Sequence, residues 1–159
     1  MKKILLLAIG FLMTITASAQ FEQGKYYCNG SLTGINLSYS GAEKLSLGVE
    51  AKGGYLVADN WMALVMAGYS HDEDVDDKFA VGVGGRYYII QNGLYMGLNA
   101  RLVHGGSGYN DIMPGLELGY AFFLGKSVTI EPSVYYDQSI KNHSDYSKVG
   151  LRIGVGVYL

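Results

Sequence analysis

Apolar and polar residues alternate along most of this chain with a period of two. The stretch from Tyr146 to Leu159 shows it best. Val149, Leu151, Ile153, Val155, Val157 and Leu159 share one face, and Lys148, Gly150, Arg152, Gly154, Gly156 and Tyr158 share the other. That alternation predicts a β-strand. One face is wholly aliphatic and the other is half glycine with two cations, so a lone strand of this kind would be a sticky edge. Closing the sheet into a barrel whose aliphatic face meets lipid pairs every backbone group and removes the hazard.

The same pattern predicts seven earlier strands. The first lies within Tyr26 to Tyr39, with a change of phase that predicts a bulge near Gly34. The second carries Leu45, Leu47, Val49, Ala51, Gly53, Tyr55 and Val57 on its aliphatic face. The third runs from Trp61 to Ser70 and is apolar on both sides, so the pattern does not orient it. The fourth spans Phe79 to Ile89, the fifth Leu94 to Leu102, the sixth Ile112 to Phe122 and the seventh Val128 to Asp137. Pro132 lies inside the seventh and predicts a bulge or a missing ladder hydrogen bond there.

Connections separate the runs. Ser40 to Glu43, Ala58 to Asn60, Gln91 to Gly93 and Leu124 to Ser127 are short turns, the third containing the Asn-Gly hairpin signal. His71 to Lys78, His104 to Asp111 and Gln138 to Asp145 are longer, polar and expected to be loops. Gln20 to Lys25 is expected to be a short flexible lead-in. Eight evenly spaced strands whose connections alternate short and long after a first connection that is itself short predict an all-β, eight-stranded antiparallel up-and-down transmembrane β-barrel. An even strand number puts both termini on one side.

A soluble barrel, lipocalin-like, is the rival architecture. Its solvated face should carry about 25–35% charged residues. The non-aliphatic face here is mainly Gly, Ser, Ala, Thr and Tyr, which suits a cramped lumen better. With the aliphatic face outward, Tyr55, Trp61, Tyr87, Tyr120 and Phe122 gather near the short-turn end, and Tyr39, Tyr69, Phe79 and Tyr136 near the other. Two such rings are expected where a barrel crosses the two membrane interfaces.

Residues 1–19 read as an export leader: Lys2 and Lys3, an apolar run from Ile4 to Ile15, then Ala17-Ser18-Ala19 as a cleavage site. Residues 20–159 then form one domain. No later run is long enough for a transmembrane helix, and the single cysteine, Cys28, excludes an intramolecular disulfide framework. A formal net charge of −2 gives no reason to expect nucleic acid as a partner.

The whole chain after the leader resembles the small eight-stranded outer-membrane barrels, the OmpX-like and OmpA-transmembrane-domain-like group. Its C-terminus resembles their assembly signal, carried here by Arg152, Gly154, Val157 and Leu159, with Leu159 standing where members often have Phe or Trp. The resemblance implies an outer-membrane location in a Gram-negative bacterium, periplasmic termini, longer loops outside, contact with outer-membrane lipids and handling by the barrel-assembly machinery. A closed barrel needs no partner for its edges, so a monomer is the expectation. It implies a non-enzymatic role in envelope integrity, adhesion or surface interaction, without a cofactor. It also admits a narrow channel, or a lipid A-modifying enzyme using His and Ser.

The candidate chemistry is sparse. Glu50, Lys52, Arg86, Arg101, Glu117, Glu131 and Arg152 all fall on the lumen face. Unpaired charges there would be costly, so an internal salt-bridge network is expected. Asp72, Asp74 and Asp76 alternate as in the opening of a calcium loop, yet Asp77 and Val83 stand where an EF-hand needs Gly and Glu. His71, His104 and His143 fall in expected loops, near Ser107 and Ser144 in two cases, without an acyltransferase or deacylase motif.

Overall fold

The computed structural model describes residues 21–35, 47–72, 75–89, 93–105, 109–140 and 147–159. The leader, the Ser40–Glu43 turn, Tyr39, Asn92, Ser107, His143 and Ser144 lie outside the described residues.

The described strands are β1 (Tyr26–Ile35), β2 (Leu47–Ala58), β3 (Trp61–Asp72), β4 (Val75–Tyr88), β5 (Leu94–Gly105), β6 (Tyr109–Tyr120), β7 (Phe122–Phe123), β8 (Val128–Asp137) and β9 (Lys148–Tyr158). From β1 to β6 each strand pairs antiparallel with the next. β8 pairs with β6 on one side and β9 on the other, and β9 pairs with β1. The sheet therefore closes on itself. β7 continues the line of β6 past Ala121, so the nine segments form the eight staves that the alternation predicts.

The aliphatic face points outward. Val49, Val65, Val83, Leu98, Leu116 and Ile153 are each more than half exposed. This sidedness is the reverse of a soluble barrel, because water would meet a continuous apolar belt. Inside, Glu50, Lys52, Arg86, Tyr88, Tyr95, Glu117, Glu131 and Arg152 are buried.

Pairing settles the orientation of β3. Its inward residues Met62, Leu64 and Met66 are buried, while Trp61, Val65 and Tyr69 face out. The inward side chains use space that neighbouring glycines vacate. A Cβ on Gly54 would lie 2.8 Å from both Leu64 Cδ2 and Met62 Sδ, and one on Gly82 would lie 3.0 Å from Met66 Cγ.

The register shifts between Thr33 and Ile35 on β1, as the phase change at Gly34 predicts. Pro132 causes no bulge against β9, where pairing runs unbroken from Val128 to Asp137. The break falls on its other side: pairing stops at Gly119–Ser133 and resumes at Phe122–Ile130. A proline nitrogen carries no hydrogen to sustain the ladder there.

Two expectations about loops are corrected. His71–Lys78 is largely strand, with β3 and β4 paired up to Asp72 and Val75. His104–Asp111 is likewise mostly hairpin, with His104 opposite Asn110 and Gly105 opposite Tyr109. Beyond the apolar belt neither face of a strand needs to be hydrophobic, so the alternation fades while the ladder continues.

The expected flexible lead-in is corrected as well. Phe21 is fully buried in the barrel mouth where β1 begins and β9 ends, stacked on Tyr88 at 3.7 Å between ring centroids.

Candidate functional site in the barrel lumen

Alternate residues of a strand share a face, so Glu50 and Lys52 of β2 enter the lumen together. So do Arg86 and Tyr88 of β4, and Thr129, Glu131, Ser133, Tyr135 and Asp137 of β8. All seven lumen charges expected from the sequence meet in one connected network.

Its layer nearest the terminal mouth is built on Glu131. One carboxylate oxygen accepts from Tyr27 at 2.6 Å and from Arg86 Nη1 at 2.9 Å. The other accepts from Thr129 at 2.8 Å and Tyr158 at 3.1 Å. The Tyr88 and Tyr158 hydroxyls lie 2.6 Å apart. Arg86 also sits over the Tyr95 ring, 3.8 Å from its centroid. Four donors from four strands thus satisfy a single buried carboxylate, the condition under which a buried charge is tolerated.

Further in, Glu117 of β6 binds Lys52 Nζ at 2.8 Å and Arg152 Nη1 at 3.2 Å. Tyr95 donates to Glu117 at 3.0 Å and Arg86 approaches it at 3.6 Å, which joins the two layers. Glu50 lies 3.4 Å from Lys52, 3.4 Å from Arg152 Nε and 3.0 Å from Arg101. Arg101 also pairs with Asp137 at 3.2 Å. Asp137 shares the lumen phase of β8, but it ends the strand beside a polar run, and sequence reasoning left it out of the network. The tyrosine hydroxyls were missed too; their inward phase was visible, but their partners are remote in sequence.

The network therefore holds four acids and four bases. Tyr27, Tyr88, Tyr95 and Tyr158 fill the space around its mouth-side layer, all nearly inaccessible. Charge balance and dense packing make it a cross-brace from strand to strand.

The other candidates are not brought into this network. His104 is exposed on the outer wall, its Nδ1 2.6 Å from Asn110 Oδ1. For His71 only the backbone is described, and it belongs to β3. Cys28 is a free thiol on the outer face. Among the described residues no group of three or more His, Cys, Asp or Glu is placed to hold a metal ion.

Of the named aromatics, Tyr55, Trp61, Tyr69 and Phe79 are exposed on the outer wall, while Tyr87, Tyr120, Phe122 and Tyr136 are half-buried. Trp61 packs on Tyr87 at 4.8 Å and Tyr120 on Phe122 at 4.4 Å. Tyr26 joins the terminal-end set against Tyr55 at 5.1 Å. In the C-terminal stretch, Arg152 and Gly154 face the lumen and Leu159 faces outward.

No protein-family description matches the sequence, and no curated protein matches it either. Solved structures do match. Neisserial surface protein A superposes with a TM-score of 0.58 at 16% identity, covering 85% of this chain and 97% of its own. The N-terminal β-barrel domain of OprF from Pseudomonas aeruginosa gives 0.64 at 13% identity, covering 86% and 98%. The outer-membrane protein Ail of Yersinia pestis gives 0.59 at 13%, covering 86% and 100%. At such identities the likeness concerns architecture alone. A closed ring of eight antiparallel staves, an apolar outer wall and a polar, packed interior give this chain the fold of the small transmembrane β-barrels of bacterial outer membranes.

Proposed function

We propose that the protein is a non-enzymatic integral outer-membrane β-barrel that acts in envelope integrity or surface interaction. The observation that carries this reading is the lumen itself: a balanced, buried ion network crosses it, backed by tyrosine rings, and occupies the space a conduit or substrate would need. Barrels of about eight strands have interiors that side chains fill.

In this reading the leader 1–19 is removed and both termini face the periplasm. The hairpin end, with its acidic β3–β4 tip, faces outward. Tyr55, Trp61, Tyr87, Tyr120 and Phe122 form the girdle at one interface, and Tyr39, Tyr69, Phe79 and Tyr136 at the other. The barrel-assembly machinery reads the C-terminal strand through Arg152, Gly154, Val157 and Leu159. The barrel is a monomer, since closure leaves no edge to pair. A surface role is supported by Ail, named the attachment invasion locus protein of Yersinia pestis.

The test compares envelopes with and without the protein by mass spectrometry of lipid A and phospholipids, alongside conductance of the purified protein in planar bilayers. Unchanged lipid masses and no unitary conductance are expected. Gain or loss of one acyl chain would make the protein an enzyme, and stable conductance steps would make it a channel.

A further inference from the structure

The segment from Phe21 to Lys25 looks unremarkable in sequence, yet it is tied down at almost every residue. Gly24 N–H donates to Leu56 O and Leu56 N–H to Lys25 O, both at 2.9 Å. Gln23 N–H donates to Asp59 Oδ1 at 2.9 Å, and its side-chain amide to Val57 O at 3.0 Å. Asn60 N–H donates to Phe21 O at 2.9 Å. Gly24 has φ +96°, a left-handed conformation that glycine adopts without strain and that turns the chain back from β1 into the mouth.

The destination of Phe21 gives this segment its meaning. The ring stacks on Tyr88 of β4 and meets Phe123 of β7 and Tyr158 of β9 edge-on, each of these two at 5.6 Å. These partners come from three parts of the ring and are gathered only in the closed barrel. β9 is also the strand that meets β1 at the seam, where Tyr26 and Leu159 exchange backbone hydrogen bonds of 2.9 Å.

We propose that residues 21–25 form a latch across the terminal mouth that engages after the barrel has closed and holds the β1–β9 seam shut. Two consequences distinguish a latch from ordinary core packing. Its contacts are absent from the folding transition state, so losing them speeds unfolding and leaves folding alone. Its loss also loosens the seam before the rest of the ladder.

The experiment uses the protein isolated from membranes and refolded into phosphatidylcholine vesicles, comparing the wild type with Phe21→Ala and Phe21→Leu. Folding and unfolding in urea are followed by gel mobility of the folded form, and backbone exchange by hydrogen–deuterium mass spectrometry. For Phe21→Ala, unfolding should be about tenfold faster or more, with refolding within about twofold of wild type. Exchange should rise at Tyr26–Asn29 and Val155–Leu159 and stay unchanged at Val81–Gly85. Phe21→Leu, which keeps an apolar wedge without the stack, should fall between, and it decides the matter alone if Phe21→Ala does not fold. Slower refolding with unchanged unfolding, a uniform rise in exchange around the barrel, or no change would each overturn the proposal.

Discussion

Glu131 shows what one residue does in this lumen. It accepts hydrogen bonds from Tyr27, Arg86, Thr129 and Tyr158, so four strands meet at one carboxylate. Glu131→Ala would leave the fully buried Arg86 short of its countercharge, and breaking a buried pair from one side costs about 3–5 kcal/mol. A drop of that size in unfolding free energy, read from urea titrations in detergent micelles, is expected. The double change Glu131→Leu with Arg86→Met should cost less than the sum of the single changes, because neither charge is then stranded. Seven of the eight charged members of the network were legible because a period of two assigns each a face; Asp137, at the end of its strand beside a polar run, was not. The tyrosines were not, since a tyrosine suits a core, a lumen or a membrane interface, and only the fold reveals which hydroxyls meet Glu131 and Glu117.

At the level of single strands, β3 marks where pattern reading stops. Both its faces are apolar, so nothing local distinguishes lumen from lipid; the answer comes from β2 and β4, whose glycines face Met62, Leu64 and Met66. Gly54→Val should therefore overpack the lumen and destabilise the barrel by about 1–3 kcal/mol. Gly30→Val adds its side chain where no atom lies within 4 Å of the Cβ, and should change the unfolding free energy by no more than about 0.5 kcal/mol. Comparing the two urea midpoints checks the assignment of faces. The β3–β4 and β5–β6 hairpins outran their sequence signal for a related reason: strand pairing needs backbone groups, whereas the alternation needs a hydrophobic environment on one side. The latch was invisible because its partners lie far along the chain and its own composition is that of a loop.

For the molecule as a whole, the outer wall sets the energetics. Val65 lies midway between the outward aromatics Trp61 and Tyr69 and is exposed to the surroundings. Val65→Arg would place a cation at the depth where lipid-facing charge costs about 2–4 kcal/mol. The loss should appear in bilayer unfolding measurements and shrink in short-chain detergent, where the guanidinium reaches water. An equal loss in both media would mean that the wall is not lipid-facing at that height.

The balance of four acids and four bases in the lumen bears on how the molecule is seen from a distance. Their contributions cancel, so the formal charge of −2 carried by the full 159-residue sequence, leader lysines included, belongs entirely to residues outside the network. The acidic stretch Asp72-Glu73-Asp74-Val75-Asp76-Asp77 is the densest part of that remainder. Any long-range pull must therefore come from charges outside the lumen, and it fades within about 8 Å at physiological ionic strength. The interior, with four acids set against four bases, adds no net charge to that pull, however closely its groups are paired.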